Sequence, residues 1–99
     1  MVKRDDGAQM DHASMAIERV QTGVRMEKRM VKVLKALAEY LDVSLGDLLE
    51  GIVLHAFENK TPFSEETLRR IARIKEVYGM DYGASASHHL REDTTDGDV

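Results

Sequence analysis

The chain has 99 residues, a formal net charge of −4 and no cysteine. That length fits one small domain, and a chain this short often shares its core with another copy to bury enough surface. Without cysteine there are no disulfides or thiolate metal sites, and no window approaches eighteen continuous apolar residues, so no membrane span is expected.

The first residues, Met1-Val2-Lys3-Arg4-Asp5-Asp6, lack the apolar stretch of a signal peptide, and a soluble cytoplasmic protein is expected. Residues 1–18 mix Asp, Gly, Gln, Met and Ala without a sustained period and read as a flexible N-terminal arm, with a short helical turn near Ser14–Glu18. Gln21-Thr22-Gly23-Val24-Arg25-Met26 then alternates with period two, Thr22, Val24 and Met26 on one side and Gln21, Gly23 and Arg25 on the other. A lone strand cannot satisfy its own backbone groups, and the chain offers no good second strand. The simplest partner is the same segment of a second copy, in an antiparallel ribbon over Val20–Met26. The competing reading makes this segment part of one helix from Ala13 to Leu41, since Met15, Val20, Val24 and Val31 also fit helical spacing. Against it stand Thr22-Gly23-Val24, weak helix formers in succession.

From Lys28 to Leu41, Met30, Val31, Val33, Leu34, Leu37, Ala38 and Leu41 recur at three- and four-residue spacing, predicting a helix with a broad buried stripe. Ser44-Leu45-Gly46-Asp47 is a capping-box variant that opens a second helix over Leu45–Glu58, burying Leu45, Leu48, Leu49, Ile52, Val53 and Phe57. Gly51 inside it costs about 1 kcal/mol relative to Ala. Ser64-Glu65-Glu66 starts a third helix, Glu65–Tyr78, which Gly79 ends. Its stripe is Leu68, Ile71, Ala72, Ile74, Val77 and Tyr78. Residues 91–99 read as a disordered acidic tail.

Charge is unevenly placed. Residues 19–35 carry a net +5, residues 36–60 a net −4 and the tail a net −3. Charges are felt within about a Debye length, roughly 8 Å at physiological salt, so the local patch outweighs the global sign. A solvated helix face is the ordinary explanation of such lysines. A nucleic-acid contact is the sharper one.

In its order of strand, helix, short turn and helix, Gln21–Phe57 resembles the ribbon-helix-helix DNA-binding family, specifically the Arc and MetJ repressor group. The resemblance rests on the Gln21–Met26 run, on Leu37-Ala38-Glu39 closing the first helix, on the Ser44-Leu45 turn and on Leu49, Val53 and Phe57. It implies a mainly α fold: a ribbon-helix-helix, intertwined homodimer with one antiparallel strand per chain plus an extra C-terminal helix. Residues 19–59 would be that domain and residues 60–90 a C-terminal helical extension. Gln21, Gly23 and Arg25 would contact bases in the major groove, Arg25 suited to guanine and Gln21 to adenine. Gly23 departs from the polar residue found at that place in Arc. Lys28, Arg29, Ser44, Leu45 and Gly46 would contact phosphates, with Asp47 a poor neighbour for them. Val24, Met26, Leu34, Leu37, Leu49, Val53 and Phe57 would form the dimer core.

A buried Arg–Glu–Arg cluster of Arc corresponds here to Val43, Leu48 and Ile52, which suggests an apolar version of it. Alternatively, Leu48 and Ile52 form an outer groove that docks the third helix. Extensions beyond the second helix in this family often bind a toxin or small effector, so residues 60–90 are a candidate surface for a protein partner.

Little else suggests chemistry. His88 and His89 are adjacent, His12 and His55 are distant, and no His-x-x-x-His spacing occurs. The serines lack a nucleophile signature, and Glu65-Glu66 fits a helix start better than paired-carboxylate catalysis. The expectation is a sequence-specific DNA-binding transcriptional regulator on double-stranded DNA, with no metal, cofactor or enzymatic activity. The alternative is a small all-α dimeric protein-interaction module without DNA readout.

Overall fold

The computed structural model describes residues 15–92. They form three helices, α1 (Lys28–Leu41), α2 (Leu45–Phe57) and α3 (Glu65–Tyr78), followed by a single 3-10 turn at Ala84–Ala86. Each helix starts on a side chain that accepts from first-turn N–H groups: Glu27 from those of Arg29 and Met30, Ser44 from Asp47, and Ser64 from Thr67.

All three helices also stop in the same way. Asp42, Asn59 and Gly79 take left-handed backbone angles (φ 63, 56 and 68). The next N–H in each case bonds back five residues, Val43 to Ala38 at 3.0 Å, Lys60 to His55 at 2.8 Å and Met80 to Lys75 at 2.9 Å. Gly, Asn and Asp are the residues that accept this geometry most readily.

The core is small. Val33, Leu37, Ala38 and Leu48 are its buried side chains, and Leu34, Leu41, Ile52, Phe63, Ile71 and Ile74 pack around the cluster of Leu37, Ala38 and Leu48. α1 lies against both other helices, more extensively against α3. Leu48 and Ile52 therefore share a cluster with Phe63, Ile71 and Ile74 of the extension, while Val43 is 36% exposed. That is the docking groove for the third helix rather than an apolar replacement of a buried charge cluster.

Three expectations need correction. Among the described residues there is no strand, so the ribbon-helix-helix with an antiparallel strand is not the observed fold, which is mainly helical. A strand exists only through a neighbour's ladder of donors and acceptors, and a chain of helices supplies none to Val20–Met26. The long-helix alternative fails as well, because residues 15–27 carry no helix and no turn forms over residues 15–18. Finally, the α2 and α3 stripes are only partly covered: Val53, Phe57, Leu68 and Val77 are exposed. The expectations placed on residues 1–14 and 93–99 lie outside the described residues.

Replacing Leu37, 2% exposed, with Ala should lower stability by about 2–5 kcal/mol through reduced burial and a residual cavity. Glu66→Ala, at an exposed position of α3, should stay within about 0.5 kcal/mol of the parent. Urea unfolding followed by helical ellipticity measures both.

Candidate nucleic-acid interface

The start of α1 is organised by one carboxylate. Glu27 accepts the Arg29 N–H at 3.2 Å, the Met30 N–H at 3.3 Å, the Arg29 Nε–H at 3.0 Å and the Tyr82 hydroxyl at 2.6 Å. Arg29 in turn donates from Nη1 to the Gly79 carbonyl at 2.8 Å, lies 3.5 Å from Asp81 and sits 5.6 Å from the Tyr82 ring centroid. The end of α3 and the chain beyond it are thereby fastened to the N-terminus of α1. Sequence reasoning missed this cluster because its partners lie 50 and 55 residues apart and no local pattern links them. The hydrogen bond from Tyr82, aided by those from Arg29, holds the Glu27 carboxyl down at about 2. Burial, together with the same bond to Glu27, pushes the Tyr82 hydroxyl up from its ordinary value.

The three residues expected to meet bases lie on the irregular segment that leads into α1. Gln21, Gly23 and Arg25 are all exposed, and a Cβ at Gly23 would meet nothing within 4 Å. Arg25 forms an ion pair with Glu92, its side chain 85% exposed and that of Glu92 63%. Pairs this open contribute little and exchange readily for another anion. Arg19 is held by two hydrogen bonds to Glu50, at 2.9 and 3.1 Å, which fasten the segment to α2. The same bond keeps Glu50 below the usual carboxylate range.

Of the residues expected to meet phosphates, Arg29 is committed to Glu27, Asp81 and the α3 terminus, and so has a structural role. The Ser44 hydroxyl is occupied by the Asp47 N–H at 3.0 Å. Lys28 and Gly46 are exposed, Leu45 is half-buried, and Gly46 has open space around it. Asp47 stands in the first turn of α2 and opposes an anion there.

The expected dimer-core residues fall into two groups. Leu37 is buried within the chain, and Leu34 packs against its cluster. Val24 (73%), Phe57 (80%), Val53 and Met26 are exposed, Leu49 is half-buried, and Leu54 adds another open side chain at 64%. Ile17, Leu49, Val53 and Leu54 line a largely apolar hollow of about 410 Å³ where the segment crosses α2. Among the described residues no group of three or more His, Asp or Glu side chains is placed to hold a metal, and no helix is long and apolar enough to cross a membrane. No protein-family model matches the sequence, and no curated protein or solved structure is significantly similar to it.

The depressed Glu27 carboxyl predicts a pH effect on stability. A carboxylate whose folded pKa lies below its unfolded value stabilises fully above about 4.5, and that contribution disappears as the pH falls toward 2. Glu27→Gln should therefore flatten part of the acid limb between those values, read as urea midpoints at successive pH. An unchanged acid limb would show that the carboxylate is not linked to folding.

Proposed function

We propose that this chain is a sequence-specific DNA-binding protein, a regulator of transcription, that works as a homodimer. The observation that carries the reading is the exposed segment Val20–Met26, which places Gln21 and Arg25 in solvent immediately before the basic helix α1. Those two side chains match the donor and acceptor pattern of adenine and guanine edges. The dimer is supported by the open apolar side chains of α2 and of the segment, Val20, Val24, Val53, Leu54 and Phe57. Three of these, Val53, Leu54 and Phe57, stand within one turn and a half of α2, and grouped apolar side chains of this kind are what a protein interface covers. Residues 60–90 contribute α3 to the fold and offer a further surface for a protein partner.

A second reading, a dimeric protein-interaction module without DNA, is favoured by the Arg19–Glu50 and Arg25–Glu92 pairs, which reduce the positive charge of the segment. Binding to duplex DNA at low salt separates the two. The DNA-binding reading expects enrichment of a preferred site from a random duplex library, and no enrichment would refute it.

On such a site, Arg25→Ala should weaken binding by about 1–3 kcal/mol and relax preference at one base pair. Equal affinity of parent and variant, measured by fluorescence anisotropy, would remove Arg25 from base readout. Sedimentation equilibrium should find a dimer at micromolar concentration, and Phe57→Asp should shift it toward monomer. A parent that stays monomeric would rule out the shared interface.

A further inference from the structure

Among the described residues, a group of basic side chains without a carboxylate partner gathers on another part of the molecule. α1 and α3 run antiparallel: as the α1 side advances from Arg29 through Lys32 to Tyr40, the residues facing it recede from Tyr82 through Tyr78 to Arg70. The contacts are cation–π pairs with centroid distances of 5.6, 5.9 and 4.6 Å. Arg29, Lys32, Ala36 and Tyr40 form one continuous helical row along this seam. On the flank of α1 beyond it stand Lys28, Lys32 and Lys35, at i, i+4 and i+7. On the matching flank of α3 stand Arg69 and Arg73, with Arg70 between them and the seam. Leu34, Ala38 and Leu41 occupy the opposite flank of α1, toward Leu48 of α2. The six basic side chains therefore share the side of the α1–α3 pair turned away from α2.

All six positions are exposed, and among the described residues none of the six has a carboxylate oxygen within 4.0 Å. Glu39, Glu65, Glu66 and Glu76 lie on the same flanks and leave the face at a net +2. Arg69, Arg70 and Arg73 line, with Glu66, a shallow hollow of about 170 Å³. Two cationic rows on neighbouring helices, whose axes pack roughly 8–10 Å apart, suit an extended polyanion better than one small anion.

We propose that this α1–α3 face, through Lys28, Lys32, Lys35, Arg69, Arg70 and Arg73, is a contact surface for the phosphate backbone of duplex DNA. It rests on the DNA-binding reading and extends it to residues outside the segment before α1. The face supplies affinity without sequence information, while Gln21 and Arg25 supply preference.

The test measures the full chain's binding to a 20-base-pair duplex of mixed sequence by anisotropy across a range of salt. Removing one side chain that neutralises a phosphate should reduce the slope of log affinity against log salt by about 0.9. Arg69→Ala with Arg73→Ala should reduce it by about 1.8 and leave any sequence preference as in the parent. This double variant spares the Arg70–Tyr40 contact. Lys28→Ala with Lys35→Ala should do the same from the other helix, and far-UV ellipticity checks that both variants keep their helices. Parental slopes in both folded double variants would overturn the proposal and leave the DNA-binding reading intact. Failure of the parent to bind duplex at low salt would overturn both. Reduced slopes together with an Arg25→Ala variant of unchanged preference would uphold the face and remove the segment from readout.

Discussion

One apolar stripe on α1 has to serve two helices. Leu37 and Ala38 meet Leu48, while Leu34, Leu41, Ile52, Ile71 and Ile74 close around them, so the buried cluster forms where three helices share a single row of side chains. Four buried side chains among the described residues make a thin core for a domain of this size. α2 is apolar around much more of its circumference than α1 can cover, and the excess, Val53, Leu54 and Phe57, faces solvent. The distribution of the core and the dimer reading thus have one origin.

Charge is divided with comparable consequences. Two arginines bridge chain segments: Arg19 links the entering segment to α2 through Glu50, and Arg29 links the end of α3 to the start of α1. Planar guanidinium groups suit this work because they donate in two directions at once. Among the described residues the lysines of α1 and Arg69, Arg70 and Arg73 of α3 have no carboxylate partner, which is the ground for the proposed external contact. The proposed backbone contact follows from that partition more than from the total charge, which is negative.

The helices were legible because their ends are written locally. Ser44 and Ser64 start α2 and α3, Gly79 stops α3, and the three- and four-residue spacing of apolar side chains fills the intervals. The strand was not legible in the same sense. Period-two alternation over six residues describes which way side chains would point and is silent on whether a ladder exists for them. Arg29 shows the limit for sites: its sequence neighbourhood suggested a phosphate contact, whereas Gly79, Asp81 and Tyr82 claim it from a distant part of the chain. The uncovered part of the α2 stripe was hidden for a similar reason, since a pattern marks what is apolar without saying which molecule buries it.

The hydrogen bond between Glu27 and Tyr82 also has a topological meaning. It joins the residue just before the first helix to one just after the last, so the helical body closes into a ring with entrance and exit at one corner. A circularly permuted chain, opened at the exposed Asn59-Lys60-Thr61 loop and spliced at that corner, would keep every helix–helix seam. Tags or labels attached near residues 26 and 83 would emerge side by side, and a pair of probes there would report the integrity of this corner directly.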